Sequence, residues 1–291
     1  MPNPLKRALR GAIDRTLDYA AGKQELKDRT SPAVKVQLRS LWMTYRSMVE
    51  HGTALPSIWD TGFGVFSEYD EDGVILFLLS VSNGSRSFVD IGAGNGVHAS
   101  NCANLAFNLG YHGLFIDAHE GRIAQGESIY AAHGDTRRYP PKFVSAFVKA
   151  ETVNDLISAA GFGGDVDVLS IDIDGNDYWI WNAISAVSAR LVVIESRVEY
   201  GLEDVVAPYE ENYSWRNSQP DAPMGASPVA MTRLAERLGY RLVGANRLGF
   251  NLMYLRNDVA SSLIAGIDTR EALWHPRNRS FIQPRRPEAQ T

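Results

Sequence analysis

The segment Asp90-Ile91-Gly92-Ala93-Gly94-Asn95-Gly96 places an acid just before three closely spaced glycines. Glycines let the backbone turn sharply and let a ligand lie directly against it. The spacing G-x-G-x-G departs from the dinucleotide fingerprint, whose sixth position needs glycine where this chain has Val97. A loop without this fingerprint is less suited to binding phosphates. The carboxylate of Asp90 nearby instead favours a ligand that carries a positive amine.

A second acid, Asp117, follows the apolar run Leu114 to Ile116 and lies 25 residues after Gly92. In nucleotide-binding folds a carboxylate at this place accepts hydrogen bonds from both hydroxyls of a ribose. We therefore expect a bound ligand at the two strand tips. The predicted ligand-contacting residues are Asp90, Gly92, Ala93, Gly94, Gly96, Asp117, Ala118 and Asp172.

The acidic loop Asp172-Ile173-Asp174-Gly175-Asn176-Asp177 follows another apolar run. Three carboxylates this close are costly unless a cation or a proton relieves them. In one interpretation they form an Asx-type turn and a helix cap. In the other, Asp172 and Asp174 are catalytic, as a general base or as ligands of Mg²⁺ or Ca²⁺, and Glu195 joins them from the next strand tip. The sequence leaves both interpretations open.

Two histidines and one long connection are weaker candidates for the same site. His98 follows the glycine loop and His119 follows Asp117, so either could act as a base, although a lone histidine is more often structural. The connection from Arg197 to Pro228 is rich in aromatic and acidic residues. Loops of this length inside a compact domain are usually functional or disordered. We expect an ordered lid that stacks on a polar ring such as a sugar.

The glycine motif, Asp117, the alternating strand and helix patterns and a terminal hairpin resemble the class I S-adenosylmethionine-dependent methyltransferases over about residues 66–256. Ser67-Glu68-Tyr69-Asp70-Glu71-Asp72-Gly73 resembles the leader of the FkbM-type members, which typically modify hydroxyls of sugars or natural products. The stretch from Leu169 to Gly175 resembles their fourth strand, but Asp174 stands where they usually carry Glu.

This resemblance implies an α/β, Rossmann-like fold: a seven-stranded, mostly parallel sheet with helices on both faces and the strand order 3-2-1-4-5-7-6, the last strand antiparallel. It also implies S-adenosylmethionine as cofactor and a small-molecule acceptor. The sugar-modifying macrocin-type methyltransferases use acidic metal ligands in this region. The resemblance therefore adds a divalent cation such as Mg²⁺ on Asp172, Asp174 and Glu195.

Hydrophobic periodicity and the resemblance together divide the chain into three parts. Residues 1–64 form an N-terminal helical extension, residues 65–257 the methyltransferase-like domain, and residues 258–291 a C-terminal extension with a Pro/Arg tail. Leu5, Leu9, Ile13 and Leu17 mark one helix of the extension. Val34, Leu38, Leu41, Tyr45 and Met48 form the apolar seam of a second, which must pack on the core or on a second copy in a homodimer.

Composition narrows the classes of function further. The longest apolar run, Val74 to Val81, is too short to span a bilayer, and no signal peptide is evident. A single cysteine, Cys102, rules out an internal disulfide and favours a reducing cytoplasm. The net charge is −5, with a balance of +6 over residues 1–46 and +3 from residue 274 onward. Neither basic arm interleaves aromatics, so we expect no nucleic acid partner.

Two other classes of function remain as alternatives. A strand ending in D-x-D-G resembles the haloacid-dehalogenase phosphatases, with Asp172 as nucleophile and Asp174 as acid/base. That fold usually opens with the motif, whereas here a complete glycine-loop unit precedes it. The other alternative is a non-catalytic adenosyl-binding or assembly protein, in which Asp172 and Asp174 only cap a helix.

Overall fold

The computed structural model of the protein describes residues 22–82, 84–213 and 223–282. The predicted helix through Leu5 and Leu17 and the Pro/Arg tail after residue 282 lie outside the described residues. Residues 22–29 are helical and lead into the first element that is described in full.

The seven strands predicted from the resemblance are all present. Strands β1 to β5 are parallel, and β7 runs antiparallel to its two neighbours, β5 and β6. The order across the sheet is β3-β2-β1-β4-β5-β7-β6, which confirms the predicted fold class. The strands are β1 (Ser87–Ile91), β2 (His112–Asp117), β3 (Lys142–Ser145), β4 (Gly164–Ile171), β5 (Val187–Glu195), β6 (Tyr240–Ala245) and β7 (Asn251–Arg256).

Helices cover both faces of this sheet. The first face carries α1 (Pro32–Glu50), α2 (Glu71–Ser80), α3 (Ala103–Leu109) and α4 (Glu120–Ala132). The second face carries α5 (Val153–Ala159), α6 (Asp177–Ala183), α7 (Pro228–Arg237) and α8 (Thr269–Ala272), and a short helix α9 (Arg279–Ile282) follows. Burying both faces of a parallel sheet explains why its strands read as continuous apolar runs.

The seam of α1 packs on the protein's own core. The Ser31 side chain caps the helix by accepting the Val34 N–H, and Leu38 and Tyr45 are buried in the first-face core. The seam is thus already covered within one chain. A homodimer through the N-terminal helices remains a prediction, and it would have to use other residues. The division of the chain at residues 64/65 and 257/258 likewise remains a prediction.

Helix α2 has no counterpart among the elements predicted from the sequence. All ten of its residues are buried, because it lies between the sheet and α1. A helix buried on all sides shows no polar stripe, so its apolar run carries no helical period. Within the described residues, no helix combines the length and the apolar character that crossing a bilayer requires.

The acidic leader, residues 67–73, continues into the first turn of α2 and fastens neighbouring loops to this helix. The Asp72 carboxylate accepts the N–H groups of residues 65, 66 and 67 at 2.5–2.9 Å. Glu71 is fully buried and accepts the side-chain amides of Asn246 and Asn251 at 2.8 and 2.9 Å. Asp70 accepts the Arg247 N–H at 2.9 Å. The leader therefore positions the β6–β7 loop at the carboxyl edge of the sheet.

Candidate functional site

The polar residues at the carboxyl edge share one face of the sheet. Side chains alternate along a strand, and Phe88, Phe115, Val168 and Val193 belong to the first-face core. The positions two residues further along each strand therefore point the same way: Asp90 on β1, Asp117 on β2, Ser170 on β4 and Glu195 on β5. Ligands of open α/β sheets bind at this edge.

A cavity of about 420 Å³ opens there between the tips of β1, β2 and β4. It is polar on the side of the two acids and apolar toward the end of β3. Of the residues predicted to contact a ligand, the structure places all but Gly96 in its lining. The lining includes Asp90, Gly92, Ala93, Gly94, His98, Asp117, Ala118, Arg122, Phe147, Asp172, Asp174 and Tyr213.

The three loop glycines have different tasks. A side chain on Gly92 would collide with the Asp172 carbonyl, its Cβ lying 1.7 Å from that oxygen, so this position lets two loops touch. Gly96 lies against the Phe115 ring, and its carbonyl accepts the Tyr130 hydroxyl at 2.6 Å. Gly94, with φ +59°, faces the open cleft, and a Cβ added to it would meet no atom within 4 Å. Gly94 is the position that a ligand would touch.

Asp117 links the glycine loop to α4. Its carboxylate accepts the Gly94 N–H at 2.9 Å and the His119 N–H at 2.7 Å. Two carboxylate oxygens offer about four acceptor sites, so these bonds leave capacity for ligand hydroxyls. The His119 ring accepts the Arg122 N–H as the cap of α4 and does not line the cavity. The structure thus gives His119 a helix-capping role, while His98 is exposed on the cavity wall.

The turn between the glycine loop and α3 is longer than the sequence suggested. The Asn95 side chain accepts the N–H groups of Val97 and His98 at 3.0 Å, which diverts the chain before a helix can begin. Ser100 then accepts the Ala103 N–H and caps α3. This detour presents His98 to the cleft, and Ala99 within it has a left-handed φ of +52°.

Asp90 is buried beneath the cavity floor. The Ser100 hydroxyl donates to its carboxylate at 3.3 Å, and Asn101 donates to the neighbouring Ser170 hydroxyl at 3.2 Å. Burial raises the pKa of Asp90 to about 7, against the lowering effect of hydrogen bonds from Ser170 and Ser100. A cationic group placed next to such a buried acid would stabilise its charged form.

The acidic loop divides its carboxylates between two tasks. Asp177 is buried and accepts the Ile173 and Gly175 N–H groups, each at 2.8 Å, so it makes the turn that one interpretation assigned to the whole loop. Asp172 and Asp174 instead line the cavity, and Asp174 has a left-handed φ of +60°. The Asx-type turn therefore belongs to Asp177, no side chain of the loop caps the helix that follows, and the other two carboxylates are available to a ligand.

Glu195 converges with these two acids, as predicted. One carboxylate oxygen from each of Asp172, Asp174 and Glu195 lies within 4.8 Å of the other two. Solvent reaches Asp172 through the cleft, but protein encloses its other sides. Burial is the main cause that raises the pKa of Asp172 well above its usual range, and repulsion from Asp177 and Asp174 raises it further. Burial and repulsion from Asp172 do the same to the pKa of Glu195.

Arg197 completes this acid cluster, although in the sequence it marks only the start of a long connection. Its guanidinium lies 3.5 Å from Glu195 and 3.8 Å from Asp174. Within the described part of the chain, no other Lys, Arg or His side chain lies within 4 Å of the three acids. The sequence did carry one signal for this position. Arg197 follows Glu195 by two residues, the spacing at which side chains on a strand point to the same side.

We call residues 201–213 the strap. It leaves the end of β5 and crosses the acidic loop toward the end of β3. The Asn176 side chain donates to the Glu210 carbonyl at 2.8 Å, and the Tyr213 ring lies on Gly175. Further along the same edge, the Tyr209 hydroxyl donates to Glu151 at 2.8 Å.

The far end of the strap reaches the loop after β3. The Tyr209 hydroxyl also accepts the Ala150 N–H at 3.1 Å, and Lys149 pairs with Glu211 at 2.6 Å. The sequence predicts a third strand over the apolar run 143–148, but β3 ends at Ser145 and the next residues turn into the cleft. Phe147 is one of them and is 46% exposed there, which makes it an aromatic wall that was not predicted from the sequence.

A divalent cation does not fit the cluster as it stands. The donors are the hard carboxylate oxygens that Mg²⁺ or Ca²⁺ would take. However, the Arg197 guanidinium already faces two of the three acids, and a dication between them would lie against this positive charge. The metal prediction is therefore not supported, although its three residues do meet.

Comparisons with known proteins show weak structural similarity. A scan against family models and a search of curated proteins each gave no match. Among solved structures, magnesium protoporphyrin IX methyltransferase from Synechocystis with bound S-adenosylmethionine is similar at 14% identity, 64% of this chain and 77% of that chain, with a TM-score of 0.39. The N-terminal domain of EvdMO1 is 12% identical, over 75% of this chain and 94% of that chain, with a TM-score of 0.39. The mitomycin 7-O-methyltransferase MmcR is 17% identical, over 58% of this chain and 48% of that chain, with a TM-score of 0.35. Scores this low carry no argument about function, which must come from the site.

Proposed function

We propose that this protein is an S-adenosylmethionine-dependent methyltransferase whose acceptor is a hydroxyl of a small polar molecule, such as a sugar or a glycosylated natural product. One observation carries the proposal. Within a sheet of order 3-2-1-4-5-7-6, the Asp117 carboxylate at the tip of β2 stands beside the open face of Gly94, on the wall of a 420 Å³ cavity.

The cavity lining suits the three parts of this cofactor. Asp117 has acceptor capacity for the ribose hydroxyls, and the backbone at Gly94 lets the chain of the methionine moiety pass close by. The buried carboxylate of Asp90 favours the ammonium group. Phe147 offers an apolar face for the adenine ring at the end of β3.

The acid cluster lies on the acceptor side of this arrangement. Gly92 contacts Asp172, so the cluster lies next to the first glycine of the loop. A sulfonium methyl needs little activation, and the protein must mainly align the acceptor and receive its proton. As the acceptor oxygen bonds to the methyl carbon, the sulfur–carbon bond breaks and a carboxylate of the cluster takes the hydroxyl proton. The raised pKa of Asp172 and of Glu195 suits both groups to this step.

The other two functions fit this geometry less well. A haloacid-dehalogenase-like phosphatase would place its nucleophile after the first strand of the fold, but Asp172 follows β4. A non-catalytic adenosyl-binding protein would use Asp172 and Asp174 only as caps, but neither caps the helix that follows, and the N–H groups of the turn bond to Asp177 instead.

Calorimetry of the full chain with S-adenosylmethionine and with its demethylated product tests the cofactor directly. We expect both to bind at one site per chain. An absence of binding by both ligands would refute the proposal. Asp174→Asn should keep this affinity and lose methyl transfer to hydroxyl acceptors, whereas the exposed Asp155→Asn on α5 serves as a control that keeps both.

A further inference from the structure

Arg197 lies at the edge of the acid cluster, with its backbone bonded to the returning chain and its side chain largely buried. Its backbone remains extended, with φ −91° and ψ 92°, so its side chain projects to the same side as Glu195. Its N–H donates to the Ala226 carbonyl at 2.8 Å, and its side chain is only 19% exposed. These contacts fix where the positive charge lies.

Gly225, in the segment that follows the strap, packs against the side of Arg197. Gly225 lies flat against it, and a Cβ at Gly225 would be 3.0 Å from Arg197 Cγ and 3.3 Å from Nε. Gly225 has φ +66°, so both its conformation and the lack of a side chain serve this packing. Ala207 donates to the Gly225 carbonyl at 2.8 Å, which ties the same point to the strap.

We propose that Arg197 is the resident cation of the acid cluster, supplying from the chain itself the positive charge that a divalent metal would otherwise bring to Asp174 and Glu195. The guanidinium faces both carboxylates at 3.5 and 3.8 Å, longer than a tight charge-assisted hydrogen bond. It therefore compensates the two charges without binding either carboxylate closely, and both remain open to an acceptor.

The inference concerns the charge of the cluster, so it can be tested without knowing the acceptor. Mn²⁺ is the probe, because the electron paramagnetic resonance signal of the free ion is lost on binding. We expect the full-length wild-type chain to bind Mn²⁺ no tighter than about millimolar. Arg197→Met keeps the length of the side chain and removes its charge, and it should tighten Mn²⁺ binding at least about tenfold.

Matched variants separate this charge effect from a general one. Arg197→Lys should bind Mn²⁺ as weakly as the wild type. Arg190→Met, on β5 and paired with Asp165 and Asp167 away from the acid cluster, should also leave binding unchanged. Adding Glu195→Gln to Arg197→Met should abolish the gain.

Two results would overturn the inference. One is micromolar binding of Mn²⁺ by the wild-type chain that Asp174→Asn removes. The other is an Arg197→Met variant that melts cooperatively and binds Mn²⁺ no better than the wild type. Should Arg197→Met fail to fold, the wild-type titration and Arg197→Gln still decide the question. Failure of the methyltransferase proposal would instead appear as a loss of cofactor binding, which this metal titration does not measure.

Discussion

Replacing Asp117 by Asn tests the cofactor assignment at its most specific contact. The carboxylate of Asp117 holds the Gly94 and His119 N–H groups at 2.9 and 2.7 Å and, in the proposed complex, also receives the ribose hydroxyls. Asparagine has nearly the same shape but only one acceptor oxygen and no charge. The substitution therefore removes acceptor strength without opening a hole in the site.

The expected loss of affinity follows from the number of hydrogen bonds. A hydrogen bond to a charged group contributes about 1.5–3 kcal/mol, against about 0.5–1.5 kcal/mol for a neutral pair. Weakening two ribose contacts in this way costs about 2–3 kcal/mol, which corresponds to a rise of about 30- to 150-fold in Kd. One of the two N–H groups also loses its acceptor, at about 1 kcal/mol of stability.

Calorimetry with the demethylated cofactor measures the change in Kd, and thermal melting measures the change in stability. Glu120→Gln is the matched control, because it removes one negative charge near the same helix start without touching the cavity lining. The control should bind within about twofold of the wild type. Asp117→Asn binding within about threefold of the wild type would refute the assignment of the ribose to β2.

Three further predictions concern the glycine loop, the buried acid and the strap. Gly94→Val should abolish binding of the demethylated cofactor, whereas Gly110→Val, with a similar φ of +71° and equally open space outside the cleft, should lower the melting temperature as much and keep binding. The pKa of Asp90 is about 7 in the folded chain, above its value in the unfolded chain. The wild-type chain should therefore lose stability as the pH rises from about 4 to 7. Chemical denaturation of Asp90→Asn should show a smaller loss over the same range. Tyr209→Phe removes both hydrogen bonds of the Tyr209 hydroxyl to the loop after β3, leaving the Lys149–Glu211 pair in place. It should speed both cofactor release in stopped flow and proteolysis of the strap, while Tyr139→Phe, 83% exposed, should change neither. Equal rates in both variants would argue against a strap that retains the cofactor.

The sequence was sufficient to predict the sheet and the edge at which the cavity lies. Strands between two helical layers are apolar along their whole length, and the glycines and acids at their tips stand out against that background. Helix α2 was not predicted, because burial on every side removes the pattern that identifies a helix. The length of the turn before α3 was not predicted either, since it depends on the Asn95 side chain accepting two N–H groups rather than on the glycine spacing.

Within the acid cluster, residue type alone could not assign individual roles. Asp172, Asp174 and Asp177 are chemically the same, and only the path of the turn shows that Asp177 accepts the loop's N–H groups. The place of Arg197 two residues after Glu195 indicates the side of the sheet it faces, but its approach to the acids also depends on the long-range contact with residues 225 and 226, which the sequence does not reveal. Charge compensation between distant segments is therefore the part of the site that could not be predicted from the sequence.

The left-handed backbone at Asp174 sets stability against the proposed activity of the acid cluster. An L-residue at φ +60° is strained, and glycine or asparagine adopts this conformation more readily than most residues. A search for stabilising substitutions would therefore select Gly or Asn at position 174, and each would raise the melting temperature while removing a carboxylate from the cluster. Asp174 should accordingly be excluded when the protein is engineered for thermal stability.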